Sequence, residues 1–166
     1  RAPIRRGRVS RRVLVVDGDG AVRSDLAGEL ERHGFDVTTA SRGDQAMELL
    51  RRKRPDALIL DLMLHGGSGF ELASAASELG AKNKPHEARR PGVAIVAMTD
   101  TFTGPRNRDD AIRRFGLIDL LTKPIDAIGL AERLLAHLDA RRIKAPSPAA
   151  ASPPRAQRPP SAAPSP

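Results

Sequence analysis

Asp61, Thr99 and Lys123 each stand at or just past the carboxyl end of a short apolar run. The runs are Ala57-Leu58-Ile59-Leu60, the stretch from Val93 to Met98, and Leu117-Ile118 with Leu120-Leu121. A fourth run, Val13-Leu14-Val15-Val16, ends in Asp17-Gly18-Asp19. Two or three carboxylates, a hydroxyl and an amine delivered to one cleft suit phosphoryl chemistry on a carboxylate. A phosphoryl group in transit carries dense negative charge, so moving it is mainly a matter of placing cations and donors around it. Hard carboxylate oxygens suit Mg²⁺, which keeps several waters and takes one or two carboxylates. Crowded carboxylates repel one another, and a metal ion or the Lys123 amine relieves that repulsion.

The elements that must position these groups follow from the pattern between them. Short apolar runs separated by helix-like stretches read as buried parallel strands, and sites in such sheets form outside the carboxyl ends of the strands. Strands are predicted at 13–16, 35–40, 56–60, 93–98 and 117–121. The spacing of Val22, Leu26 and Leu30 predicts a helix over 21–33, with Gly34 beyond its end. Ser41 is expected to cap a helix running to about Arg51 that buries Ala46, Leu49 and Leu50. Ser68 is expected to cap a helix over 69–79, and a weaker helix follows at 107–115. The last, at 126–138, turns Ile128, Ala131, Leu134, Leu135 and Leu138 inward. Phe35 and Phe70 are expected in the core. Five strands alternating with five helices predict an α/β fold, a three-layer, doubly wound, five-stranded parallel sheet of flavodoxin-like order 2-1-3-4-5. Its switch point lies between the first and third strands, where Asp17, Asp19 and Asp61 would meet.

The chain has 166 residues and a formal net charge of +8. Residues 1–12 carry six Arg and residues 141–166 carry Arg141, Arg142, Lys144, Arg155 and Arg158, with no acid in either segment. Between them residues 13–140 are left at −3. The expected organisation is a basic flexible arm at 1–11, one folded domain at 12–140, and a Pro/Ala/Ser-rich basic tail at 141–166 too poor in apolar surface to order itself. Residues 80–92, polar and punctuated by Pro and Gly, read as a surface loop. With no Cys, disulfides and thiolate metal sites are excluded. No apolar stretch approaches the roughly 20 residues of a membrane-spanning helix, so no membrane partner is expected. The basic arms are suited to phosphate contacts. With no Tyr, Trp or recognisable binding motif, nucleic acid is not the expected partner. His33, His65, His86 and His137 show no metal-ligand spacing, and Gly18-Asp19-Gly20 lacks the spacing of a dinucleotide fingerprint.

From Arg12 to Leu138 the chain resembles the receiver domain of bacterial two-component response regulators. The resemblance rests on Val13-Leu14-Val15-Val16-Asp17, on the segment from Pro55 to Leu64 followed by Gly66 and Gly69-Phe70, on Ala97-Met98-Thr99, and on Leu121-Thr122-Lys123-Pro124. These four matches stand in order and at the family's spacings. The resemblance implies that Asp61 accepts a phosphoryl group from a histidine kinase or phosphotransfer protein. It implies Mg²⁺ held by Asp17, Asp61 and the backbone carbonyl of Met63. Thr99 and Lys123 would contact phosphoryl oxygens, and the Lys123–Pro124 bond would be cis. A cytoplasmic bacterial setting and a downstream protein target follow from the same likeness. Arg well above Lys and abundant Ala and Pro agree with a GC-rich bacterial source.

The chain also departs from that pattern. Gly18 stands where a second acid is usual, which predicts weakened Mg²⁺ binding, and Gly18 is expected to hold a backbone conformation that resists a side chain. Asp19, one residue on, suits an N-cap better than a metal role. Leu120 replaces a usual aromatic switch residue, Asp100 adds charge after Thr99, and His65 stands where Pro is common. Two alternatives follow: a degenerate pseudo-receiver that binds a partner without phosphorylation, and the receiver part of a longer regulator. The start at Arg1 agrees with the second. Lys123 is expected to face the cleft, so that its loss changes stability modestly.

Overall fold

The computed structural model of the protein describes residues 11–81, 92–101 and 104–144. The basic segment before Arg11, most of the loop at 80–92, and the Pro/Ala/Ser tail from Ala145 lie outside these residues, as do His86 and Phe102. The elements run β1 (Arg11–Val16), α1 (Gly20–Arg32), β2 (Phe35–Ala40), α2 (Gly43–Lys53), β3 (Ala57–Asp61), α3 (Gly69–Ala81), β4 (Ala94–Thr99), α4 (Pro105–Phe115), β5 (Asp119–Thr122) and α5 (Ala127–Lys144). The five strands form one parallel sheet in the order β2-β1-β3-β4-β5, as expected. β3 and β4 are buried along their whole length, which is why they read as unbroken apolar runs.

The period of two along each strand divides the interior into two cores. Val13 and Val15 of β1, Ile59 of β3 and Val96 of β4 face α1 and α5, meeting Leu26, Leu30, Leu130 and Leu134. Leu14, Val16, Leu58 and Leu60 face the other way and meet Ala46 and Leu50 of α2 and Leu72, Ala73 and Ala76 of α3. Each fully buried Leu contributes roughly 1.5–3 kcal/mol relative to exposure. Truncating one in the central strand, such as Leu58→Ala, would cost about 2–5 kcal/mol.

Several local expectations are corrected. Ser41 does not cap α2: Arg42 is the N-cap residue and makes no side-chain cap bond. The free N–H groups of Gly43 and Asp44 donate instead to His65 O (3.1 Å) and Gly66 O (3.0 Å), carbonyls of the loop after β3, which leaves a hydroxyl cap nothing to do. Ile128 is 55 % exposed rather than inward, because the buried stripe of α5 begins at Leu130. Phe70 is 38 % exposed. It lies off the sheet against Phe115 of α4, ring centroids 4.7 Å apart, while Leu72 takes the core position. α5 runs to Lys144, beyond the expected end at Leu138. β1 starts at Arg11, whose guanidinium pairs with Asp139 of α5.

Candidate functional site

Parallel strands end at one edge of the sheet, so the residues closing β1, β3 and β5 share a cleft. Asp17 follows β1, Asp61 ends β3, and Lys123 follows β5. The cleft has a volume of about 700 Å³ and is also lined by Gly18, Asp19, Val22, Met63, His65, Asp100 and Pro124. Lys123 Nζ lies 2.8 Å from Asp17 Oδ2 and 2.8 Å from Asp61 Oδ2. Both carboxylates are buried, Asp17 at 1 % exposure and Asp61 at 5 %. Burying an ion costs several kcal/mol unless it is paired and hydrogen-bonded, so the three groups must be read as one unit. Burial works against the Lys123 charge, but the Asp17 and Asp61 carboxylates outweigh it and hold the amine above its ordinary pKa of 10.5.

The remaining lone pairs are partly satisfied by the local chain. Asp61 Oδ1 accepts from the N–H of Met63 (2.8 Å), and Asp17 Oδ1 accepts from the N–H of Asp19 (2.8 Å). Asp17 Oδ2 is ion-paired with Lys123 but out of line for a hydrogen bond, so it is a buried oxygen with no donor among the described residues. Two hard oxygens already converging on one ammonium, one of them lacking a donor, fit a divalent cation of the Mg²⁺ type. The Lys123–Pro124 bond is cis, and the Lys123 N–H donates to Thr99 O (2.9 Å).

The other expected site residues are placed less uniformly. Thr99 is buried at 6 % exposure beside this group, but does not line the cleft; its Oγ1 accepts from the N–H of Thr101 (3.2 Å). The hydroxyl proton is left to donate elsewhere. Met63 stands at the rim with its side chain 72 % exposed. Asp19 is the N-cap of α1, accepting from Ala21 N–H (2.8 Å) and Val22 N–H (3.5 Å), so its carboxylate is engaged by the helix end. Asp100 is exposed at the cleft margin. Leu120 is buried in the core facing α2–α4 and does not reach the cleft. Gly18 is exposed with φ outside the left-handed region, and a Cβ there would meet nothing within 4 Å. The expectation of a resistant backbone at Gly18 is therefore wrong.

Sequence reasoning missed Arg23. Its Nη1 donates to Asp17 O (2.6 Å) and Gly18 O (3.1 Å), fixing the backbone that presents Asp17. The available signal was a basic residue in the first turns of the helix that follows the acidic loop. It also missed Arg108 and Arg133, which both pair with Asp119 and tie α4 and α5 to β5. Those three residues belong to different elements, and nothing local in the sequence links them. Gly69 marks a close approach: a Cβ there would stand 2.6 Å from Asp61 O and 2.7 Å from Leu62 Cα. Only hydrogen fits between α3 and the chain leaving Asp61.

Residues 13–135 match the family model described as the response regulator receiver domain. The phosphate regulon transcriptional regulatory protein PhoB of Rhizobium meliloti is 35 % identical over 133 residues, 80 % of this chain and 53 % of that protein. Protein PilH of Pseudomonas aeruginosa is 32 % identical over 117 residues, 69 % of this chain and 87 % of that protein. Among solved structures, the CheY-like receiver domain protein of Methanospirillum hungatei JF-1 superposes with a TM-score of 0.68 at 22 % identity, covering 82 % of this chain and 99 % of that one; this likeness concerns the fold. The chain spans about half the length, or less, of several curated relatives it matches.

Proposed function

This chain belongs to the response regulator receiver domain family, a signalling module of two-component systems, and from that premise we propose that Asp61 is the acceptor of the phosphoryl group. The observation that carries the assignment is Lys123 Nζ set 2.8 Å from both Asp61 and Asp17. An Asp61 oxygen attacks phosphorus, the P–N bond of a phosphohistidine donor breaks, and the imidazole leaves with the electron pair. Lys123 transfers its ion pair from the carboxylates to the arriving phosphoryl oxygens, and the Thr99 hydroxyl donates its free proton to another. The Met63 N–H keeps the Asp61 carboxylate from rotating. Asp17, Asp61 and the Met63 carbonyl would hold Mg²⁺, which supplies charge neutralisation when bound.

The donor is a histidine kinase or phosphotransfer protein, the setting is the bacterial cytoplasm, and the reaction is a single self-catalysed transfer rather than turnover. The receiver domain is assigned to residues 12–140, with β1 starting one residue before it and α5 carrying Arg141, Arg142 and Lys144 beyond it. The phosphorylated domain acts on a downstream protein target. Gly18 favours a second reading, a pseudo-receiver that binds its partner without phosphorylation, because the cleft then has two buried carboxylates for the metal instead of three. Intact mass after incubation with acetyl phosphate and Mg²⁺ separates the two. One phosphoryl addition in the parent, absent in Asp61→Asn, is the expected result; no addition at any Mg²⁺ concentration gives the pseudo-receiver.

A further inference from the structure

The amino ends of the strands gather the positive charge that the cleft does not use. α2 closes on Arg51, Arg52 and Lys53, with Arg54 as its C-cap, and all four are exposed. Arg12 Nη1 donates to Lys53 O (2.8 Å), which sets the start of β1 against the end of α2. Arg11 pairs with Asp139, which brings the end of α5, with Arg141 and Arg142, to the same strand start. The acids nearby are already engaged. Asp56 Oδ2 accepts from the Arg12 N–H (2.8 Å), Asp139 holds Arg11, and Glu48 lies 3.7 Å from Arg52. Glu31 in the last turn of α1, Asp36 in β2, and Glu71 and Glu78 of α3, which line a groove with Arg51, are exposed and are outnumbered by Arg51, Arg52, Lys53, Arg54, Arg141 and Arg142. Arg51, Lys53, Arg54 and Arg142 make no ion pair among the described residues.

We infer that this end of the domain is a contact surface for the phosphate backbone of duplex DNA, without sequence reading. Guanidinium groups match phosphate oxygens with paired donors and are weakly hydrated, so an Arg-dominated surface suits phosphates better than a Lys-dominated one. Adsorption to a lipid surface calls for apolar side chains to insert, and the last turn of α2 exposes only Arg51, Arg52 and Lys53. Single strands are held by stacking on aromatic rings, and the chain has no Tyr or Trp and four Phe, of which Phe35 is buried and Phe70 rests on Phe115. The cleft lies at the opposite ends of the strands, so backbone contact here leaves phosphoryl uptake undisturbed.

The test is fluorescence anisotropy of a labelled random-sequence duplex of about 20 base pairs, titrated with the full chain between about 50 and 200 mM salt. Micromolar binding that weakens steeply with salt is expected. In the Arg51→Gln/Arg52→Gln/Lys53→Gln variant the affinity should fall about tenfold or more, with the salt slope reduced by roughly 0.9 per phosphate that is no longer neutralised. Phosphoryl uptake from acetyl phosphate should be unchanged. Arg141→Gln/Arg142→Gln provides a second variant on a different helix, should the first fail to fold. No binding at the lower salt concentration overturns the inference. So does a loss confined to an Arg5→Gln/Arg6→Gln/Arg8→Gln variant, which would place binding in the arm alone. Binding to phosphatidylserine vesicles but not to the duplex overturns it as well.

Discussion

Lys123 and Arg54 carry the same charge in opposite circumstances. Lys123 is 13 % exposed, held by two buried carboxylates, and sits where the strands end. Arg54 is exposed, makes no ion pair among the described residues, and sits where the strands begin. At the first end, each charge depends on its neighbours, because desolvation leaves a large penalty whenever one partner is removed. At the second, water does most of the stabilising, and the charges act at range and are screened by salt. The same fold thus keeps a short-range, tightly coupled electrostatic site at one end and a loose one at the other. Substitutions should separate them by the size of their effect on folding.

The largest effect is expected from Lys123→Met. It leaves Asp17 and Asp61 facing each other without a counterion, and should lower stability by about 3 kcal/mol at neutral pH without metal. The modest change expected from sequence is revised on this ground. Urea unfolding with and without Mg²⁺ checks it: added metal should return part of the loss. A shift below about 0.5 kcal/mol would mean that the two ends do not differ as described.

Gly18→Asp comes next. With open space around the position and no positive φ, the new carboxylate enters without steric cost. Mg²⁺ affinity should rise about tenfold, while the metal-free domain loses about 1 kcal/mol to the added repulsion. Calorimetry or NMR must supply the titration, since the chain has no Trp or Tyr. Equal Mg²⁺ affinity in variant and parent would remove the metal from this cleft.

A pH series sharpens the contrast further. The folded pKa of Lys123 is raised, so its contribution is fully present below 10.5 and is lost as pH climbs through the raised value. The parent should therefore lose stability on the alkaline side in a way that Lys123→Met does not. His137 shifts the other way, lowered from 6.5 by burial and by Arg141, so its smaller contribution is present above 6.5 and is lost on acidification. His137→Gln should flatten that acid-side fall. The smallest effect belongs to the exposed end: Arg52→Gln with Lys53→Gln should move the melting midpoint by no more than about 0.5 kcal/mol equivalent.

Much of the cleft was legible because its chemistry is carried by strand ends. The apolar runs locate the strands, parallel order brings their ends together, and Asp17, Asp61 and Lys123 then have one place to be. The cap role of Asp19 was legible too, since a short acidic side chain before a helix has an obvious local partner. What escaped depends on contacts that residue type alone does not show. Ser41 was expected to cap α2 because nothing local shows that the carbonyls of His65 and Gly66 fill that place. Phe70 was expected inside because apolar identity does not say which side of a helix meets the sheet. Thr99 has the expected type and strand position, yet it stands back from the cleft lining and its Oγ1 accepts from the Thr101 N–H, leaving only the hydroxyl proton to donate. Arg23 reads as one more surface cation until the carbonyls of Asp17 and Gly18 are seen beneath it.

Gly69 touches no reactant, yet its single hydrogen sets how close α3 lies to the backbone of Asp61 and Leu62. In a saturation library scored for signalling, this position should drop out almost as completely as Asp61 itself, with alanine already failing. Conservative chemistry would offer no rescue there, because what is selected is the absence of an atom. A map of intolerant positions drawn from such a screen would outline the cleft and also its hidden supporting wall. Telling the two apart would require a fold readout beside the signalling one.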